Sequence, residues 1–488
     1  MQKKYTNTQS QNNINLRREL KARHISMIAI GGSIGTGLFV ASGTTLAHAG
    51  PGGALLAYAV IGLMVYFLMT SLGELATHMP VSGSFATYGA KYIDEGFGFA
   101  LGWNYWYNWA ITIAADLVSS QLIMNYWFPN TPSWIWSIIF LAIIFFLNLS
   151  SVKYFGETEY WFSLIKVTTI IIFIIIGLLI IFNIIDSTEK TGWYNWNIGE
   201  APFVGGFSSM ISIAMIISFS FQGTELIGIT AGESKNPSKS IPNAIHKVFW
   251  RILLFYMFTI FIISLIIPYT NTNLLCNNLT NISVSPFTLV FKNAGLLYSS
   301  SIMNAIILIA VISAGNSGMY ASTRILYTLA VENKAPRIFS NLSKKGTPIN
   351  ALIATTIISA LCFLSTTFKD QAVYIWLLNT SGVTGFIAWI GIAVSHYRFR
   401  KGYILHGNNI KNLTYRSNFF PIGPIFSFIL CLIITVGQNY QFFLENKINL
   451  LNLTINYIGI PIFLIIWFGY KIIKKSSFID YKDMKFNL

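Results

Sequence analysis

Residues 31–37, GGSIGTG, interrupt an apolar run that extends from Ile25 to Ala47, ISMIAIGGSIGTGLFVASGTTLA. Each glycine inside a helix costs about 1 kcal/mol relative to alanine, so four of them in seven residues predict that the helix unwinds there. Irregular backbone at membrane depth is tolerated only where it is buried in protein or lines a wet cavity, because its freed N–H and C=O groups need partners. A bound ligand is one such partner. The amides of Ser33, Ile34, Gly35, Thr36 and Gly37 would open a half-helix whose dipole favours an anion such as an α-carboxylate. The competing reading is close helix packing through small residues.

The surrounding sequence supports a membrane setting. Of 488 residues, 54% are hydrophobic and 10% charged, too little charge for a soluble surface of this length. A span needs about 20 apolar residues. Roughly twelve such segments are centred near residues 36, 64, 110, 142, 172, 218, 258, 312, 358, 384, 429 and 462. No removable signal peptide is expected ahead of the first. The sixth contains a second interruption, SFQGTE (residues 220–225), which carries Gly223 and Glu225. Interrupted helices in corresponding positions of two five-helix halves point to a transport site at the repeat interface.

The net charge of +15 follows from topology. Lys and Arg gather in the arm (Lys3, Lys4, Arg17, Arg18, Lys21, Arg23), at Lys91 and Lys153, and around Lys239, Lys344, Arg400 and Lys474. Lys190, Lys292, Lys369 and Lys447 fall on the other side, and Lys166 lies within a span. By the positive-inside rule both termini are cytoplasmic, and no nucleic acid is needed as a partner. Cys276, Cys362 and Cys431 have neither metal-ligand spacing nor a disulfide framework. The glycan-acceptor patterns at Asn278 and Asn281 read as chance in a chain rich in Ile, Asn, Lys and Phe, and a bacterial inner membrane is expected.

GGSIGTGLFVASG, AGPGGALLAY, GELATHMPVSGSFATY, GWNYWYNW, FSFQGTELIGITAGESKNPSKSIPNAI and SAGNSGMYASTRILYTLA together resemble the amino acid permeases of the amino acid/polyamine/organocation superfamily, from about Leu16 to about Lys475. The arm LRRELKARH and the tail YKDMKF share the pattern of its lysine-transporting members. The resemblance implies an all-α membrane fold of twelve transmembrane helices: a LeuT-like 5+5 inverted repeat with helices 1 and 6 broken, plus two extra C-terminal helices. It sets expected boundaries at 1–25 for a basic arm, 26–183 and 207–397 for the repeats, 420–474 for the last two helices and 475–488 for the tail. It also implies proton-coupled import of L-lysine, with membrane lipids around the protein and a membrane-bound regulatory protein as a conceivable partner. No cofactor or metal is implied.

Ionisable residues within spans are functional candidates by default. Glu225 is expected to meet an ammonium of the substrate; the alternative is pairing with Lys166 or capping of the second half-helix. Lys166, in WFSLIKVTTI, matches the lysine that replaces a sodium ion in sodium-independent relatives, which makes it the candidate for coupling; the alternative is a fixed ion pair. Tyr105, Trp109, Thr112 and Asp116 share one helix face. Tyr105 and Trp109 are expected to wall the pocket, Phe219 to gate it, and carbonyls around Phe219 and Ser220 to receive the α-amino group. Asp116 stands in second rank, since it could equally bond within the bundle.

Glu74, Arg324 and His396 read as inner-gate or anchoring residues, and Glu233 as part of a cytoplasmic elbow. Ser313 and Ser317 would suit a cation site, which Lys166 argues against. An exchanger, a permease of broader range and a lysine-binding sensor remain as alternatives. No nucleophile–base constellation suggests an enzyme.

Overall fold

The computed structural model describes residues 16, 18–32, 34–39, 41–186, 190–275, 285–296, 298–368, 370–438, 454 and 456–486. Ser33, Cys276, Asn278, Asn281, Lys369 and Lys447, together with most of the arm, lie outside the described residues, as does the side chain of Thr36. Among the described residues there is no β-strand; an isolated parallel bridge joins Leu20 to Ser234.

The chain leaves helix at both places where the sequence predicts it. Helix α1 (Ala22–Gly31) and the single turn α2 (Thr36–Phe39) flank the first interruption. Helix α3 (Ala41–His78) contains a break of its own at Gly50 (φ 71°, ψ 175°), followed by Pro51. Then come α4 (Ser84–Tyr92), α5 (Glu95–Met124), α6 (Ser133–Leu149) and α7 (Val152–Ile181). Helices α8 (Gly206–Phe221) and α9 (Leu226–Thr230) flank the second interruption, where Gly223 takes φ 91°. That left-handed value suits glycine and ends α8 sharply. Helix α10 (Pro237–Arg251) runs through a π-helical stretch, Ile252–Phe258, into α11 (Thr259–Ile266). After α12 (Thr272–Leu275) follow α13 (Pro286–Asn293), α14 (Ser299–Val331), α15 (Ile349–Ser359), α16 (Asp370–Leu405), α17 (Ile422–Gly437) and α18 (Gly459–Lys474).

Among the described residues, seven helical segments are long and apolar enough to cross a membrane: Ala41–His78, Val152–Ile181, Gly206–Glu233, Pro237–Ile266, Ser299–Val331, Ile349–Thr366 and Trp376–Leu405. Helices α6 and α17 are apolar but shorter. The chain is a multi-pass membrane protein. Its side chains are sorted as lipid demands: on α7, Ile171, Ile172 and Ile175 are exposed, while Glu159, Ser163 and Lys166 are fully buried. Apolar surface gains nothing by hiding from lipid tails, whereas every polar group must find a partner inside.

The interior is organised around α5, which packs on α14 and α16, while α3 packs on α8, and α1 on α7 and α10. Asp94 caps α5 by accepting from the Phe97 amide at 2.8 Å. The Leu20 amide donates to the Glu233 carbonyl and the Lys235 amide donates to the Leu20 carbonyl, both at 3.1 Å, so the end of the arm is fastened to the loop beyond α9.

Gly50 generates a prediction. A Cβ there would lie 2.8 Å from Val204 and 2.9 Å from the Pro202 carbonyl, on a backbone at φ 71°. Strain of this kind costs about 1–3 kcal/mol, so Gly50→Ala is expected to lower the thermal midpoint in detergent by several degrees. An unchanged midpoint in a differential scanning measurement would count against this geometry.

Candidate functional site

The break between α1 and α2 creates two sets of unpaired backbone groups, and each sits where something meets it. The last carbonyls of a helix have no intrahelical donor and carry the negative end of the dipole. Here two buried cations reach them. Lys166 Nζ of α7 donates to the Gly31 carbonyl at 3.0 Å. Arg251, at the end of α10, donates through Nη1 to the Ala29 carbonyl and through Nη2 to Thr224 Oγ1 at 2.7 Å, tying both interruptions together. The opposite side of the gap carries the first amides of α2, which by helix geometry have no intrahelical acceptor.

A small cavity of about 30 Å³ lies between the two breaks, bordered by Gly32, Gly35 and Gly37, by Trp109, Thr112 and Asp116 of α5, by Phe219 and Gln222, and by Ala314 of α14. It has room for a water or two and none for an amino acid, so the site is closed. Gly37 permits this closeness: a Cβ on it would lie 2.5 Å from the Ser220 Cα. Larger hollows, one beside Arg400 and Asn408 and one beside Lys91 and Lys474, lie away from both breaks.

The expected site residues divide into three groups. Gly35, Gly37, Trp109 and Phe219 border the cavity, and Ile34, whose amide donates to the Gly31 carbonyl at 3.1 Å, lies buried beside them. Tyr105 and Glu225 are brought together behind it. Tyr105 donates to Glu225 Oε1 at 3.0 Å, Trp389 Nε1 donates to Oε2 at 3.2 Å, and the Gly223 amide donates to Oε1 at 3.3 Å. Glu225 is thus buried, held by three neutral donors, and separate from Lys166, whose own hydrogen bond goes to the Gly31 carbonyl. The third group is Ser220 with the Phe219 carbonyl. The Ser220 carbonyl accepts from Tyr256 at 2.8 Å and the Phe219 carbonyl from the Gln222 amide at 3.1 Å, which leaves each a single lone pair.

Asp116 emerges more strongly than its sequence position suggested. It is 4% exposed, it borders the cavity, and its Oδ2 has no hydrogen-bond partner. Around it Thr112 Oγ1 lies 2.6 Å from Ser381 Oγ, and Thr384 donates to Asn108 Oδ1 at 2.8 Å, while the indole N–H of Trp109 on the same wall is, like Asp116 Oδ2, without a partner.

Formal charges give the site its character. Among the described residues, the buried carboxylates outside this region each have a cation: Glu74 has Arg400, Glu233 has Arg324 at 3.0 Å and Asp94 has Lys471 at 3.6 Å. His396 also lies 3.4 Å from Glu74. Within the region, Asp116, Glu159 and Glu225 face only Lys166 and Arg251. Three carboxylates against two cations leave one uncompensated negative charge in a low-dielectric interior, which is costly until a cation or a proton arrives.

Sequence reasoning passed over Gln222, Arg251, Glu159 and Trp389. Gln222 lay inside the quoted interruption, and Glu159 one to two turns from Lys166 on the same helix, so both had a signal. Trp389 and Arg251 reach their partners across 164 and 222 residues, and nothing local marks them.

Residues 24–482 match the model of the amino acid permease family. The chain is 69% identical over 471 residues to the lysine-specific permease of Escherichia coli K12, covering 96% of each chain. It is 50% identical to the lysine-specific permease of Lactococcus lactis, covering 96% of this chain and 92% of that protein. To the histidine permease of the same bacterium it is 51% identical, covering 94% of this chain and 96% of that one.

The contrast between the two cavity-side carboxylates is testable in the empty protein. Glu225→Leu strands the Tyr105 and Trp389 donors, each costing about 1–3 kcal/mol when buried unsatisfied, and should lower the thermal midpoint clearly. Asp116→Asn strands nothing and should leave it equal or higher. The reverse order in a melting assay would refute the hydrogen-bond assignment.

Proposed function

The chain belongs to the amino acid permease family, and from that premise we propose that it is a proton-coupled secondary transporter importing L-lysine across a bacterial inner membrane, with both termini cytoplasmic. The observation that carries the choice of a cation is the single unbalanced negative charge around the cavity. Lysine, with two ammonium groups and one carboxylate, brings the one positive charge that balances it. The choice among cationic amino acids is supported by the 69% identity to a protein named for lysine.

In this reading the twelve helices form the LeuT-like 5+5 inverted repeat, with repeats at 26–183 and 207–397 and two further helices at 420–474. The substrate carboxylate lies on the amides of Ser33 through Gly37. Its ammonium groups draw on Asp116, which borders the cavity, and on Glu225, whose neutral donors can be exchanged as the pocket expands. Tyr105 and Trp109 flank the alkyl chain, Phe219 closes over it, and the carbonyls of Phe219 and Ser220 offer their remaining lone pairs.

Alternating access then consists of one helix bundle moving against the other around this point. The cytoplasmic end is held shut by Arg251, Glu233–Arg324 and Glu74–Arg400, which must separate for release. Lys166 carries the coupling proton: while protonated it satisfies the Gly31 carbonyl, and losing the proton frees α1 to move. An inside-negative potential adds roughly 2.3 kcal/mol per charge per 100 mV in favour of a cation's entry.

Radiolabelled lysine uptake into proteoliposomes is expected to be driven by external acid at matched membrane potential and displaced by lysine, with arginine, histidine and neutral amino acids far weaker. Gradient-independent exchange, or displacement by many amino acids, would overturn the coupling or the specificity. Asp116→Asn and Glu225→Gln should each weaken lysine binding at least tenfold by calorimetry; a variant with unchanged affinity removes that carboxylate from the site. Lys166→Ala should abolish the rise of uptake with falling external pH, and a preserved rise would assign the proton elsewhere.

A further inference from the structure

Glu159 enters the scheme above only through the charge count and does not border the cavity, yet it is fully buried two turns from Lys166 on the same face of α7. Seven residues separate them, about 10 Å of helix rise. Both its carboxylate oxygens accept hydrogen bonds from α14: Ser313 Oγ donates to Oε1 at 2.5 Å and Asn316 Nδ2 donates to Oε2 at 3.2 Å. Asn148, next to the last residue of α6, donates to Asn316 Oδ1 at 2.9 Å, which carries the polar line to within a residue of that helix end. In the other direction Ser163 stands between Glu159 and Lys166, four residues after the first and three before the second. Its Oγ is buried without a partner and lies against Gly31, where an added Cβ would come within 2.3 Å of it.

In this closed state Ser163 Oγ is hydrogen-bonded to neither Lys166 nor Glu159, so its capacity to accept on one side while donating on the other is free for a proton path that forms when α1 moves. Of the other charged or titratable groups, Asp116 also acts electrostatically on Lys166, from the cavity side and with one oxygen unbonded, and the rest are bonded elsewhere or distant. On α7, Glu157 is bonded to Arg23 and to His24 of α1. On α14, Arg324 is paired with Glu233 and lies over the Tyr320 ring. Asp116 of α5 borders the cavity. Helices α6 and α11 bring no charged residue, and α13 brings only Lys292, on the helix packed beside Phe173.

Resting on the proton-coupled reading above, we propose that Glu159 is the inner station of the coupling proton. The Lys166 ammonium donates a proton to Ser163 Oγ as the Ser163 hydroxyl proton passes to the Glu159 carboxylate, leaving a neutral amine, an unchanged hydroxyl and a carboxylic acid. No net charge is created in that step, so it can occur in a buried setting. Glu159 then releases the proton to cytoplasmic water once the inner end opens. While that end is closed, Ser313 and Asn316 occupy both carboxylate oxygens of Glu159, and Lys166 stays on the Gly31 carbonyl with α1 in place.

The test compares wild type, Glu159→Gln and Glu159→Asp in proteoliposomes, reading lysine accumulation under an imposed pH gradient, lysine-for-lysine exchange without a gradient, and the pH profile of uptake. Glu159→Gln is expected to lose accumulation at least tenfold and to show a flat pH profile while exchange at saturating lysine, where a change of affinity does not enter, stays within twofold of wild type; Glu159→Asp should recover part of the accumulation. Unchanged accumulation and profile in Glu159→Gln would overturn the assignment, as would an equal loss of exchange and accumulation. If Glu159→Gln does not fold, Ser163→Ala decides: a flattened profile with intact exchange supports the path, and an unaltered profile refutes it. A wild type that shows no proton-driven accumulation refutes the symport reading itself, a result distinct from failure of Glu159 alone.

Discussion

The structure turns on the need of an interrupted helix to satisfy its own ends inside a membrane. Stopping α1 at Gly31 leaves carbonyls that neither water nor lipid can reach, and the two that are bonded from outside the helix are met by cations, Lys166 and Arg251. Both are buried, so each also needs the negative helix end. The interruption and the charges therefore stabilise one another. Removing either leaves the other exposed to a low dielectric.

This dependence ties the two interruptions to each other. Arg251 holds the Ala29 carbonyl with one nitrogen and Thr224 with another, so the inner ends of both interrupted helices are fastened by one side chain. It stands at the junction between α10 and the π-helical stretch Ile252–Phe258, where the regular backbone ladder is altered. Glu74–Arg400 and Glu233–Arg324 add two more closures made from neutral pairs. Neutral pairs can part and be hydrated at an opening without leaving a charge behind, whereas the unbalanced region around the cavity responds to the arrival of a substrate or a proton.

The site was partly readable before any tertiary information. Glycine content gave the first interruption, because a membrane-length helix loses stability at four glycines whatever surrounds it, and Gly223 with the carboxylate Glu225 marked the second. Helical periodicity placed Tyr105, Trp109, Thr112 and Asp116 on one face, and Tyr105 does meet Glu225. Periodicity could not rank that face. Glu225 proved to be enclosed by neutral donors and Asp116 to keep an open oxygen at the cavity, a distinction that depends on Trp389 of α16 and on the packing of α5 against α14. The pairing of Glu225 with Lys166, open from sequence, gives way to a hydrogen bond from Lys166 to the backbone.

By itself the sequence determined that the chain lives in a membrane, that its helices are interrupted within 31–37 and 220–225, and which family it belongs to. Those properties follow from composition, from glycine's intrinsic cost in a helix and from contiguous motifs, all of which act over a few residues. The tertiary structure alone decided which buried charge answers which. A carboxylate's partner is set by whichever donor lies within about 3 Å, and Glu225, Glu159 and Arg251 each have a partner, Trp389, Ser313 and Ala29 respectively, more than 150 residues away along the chain.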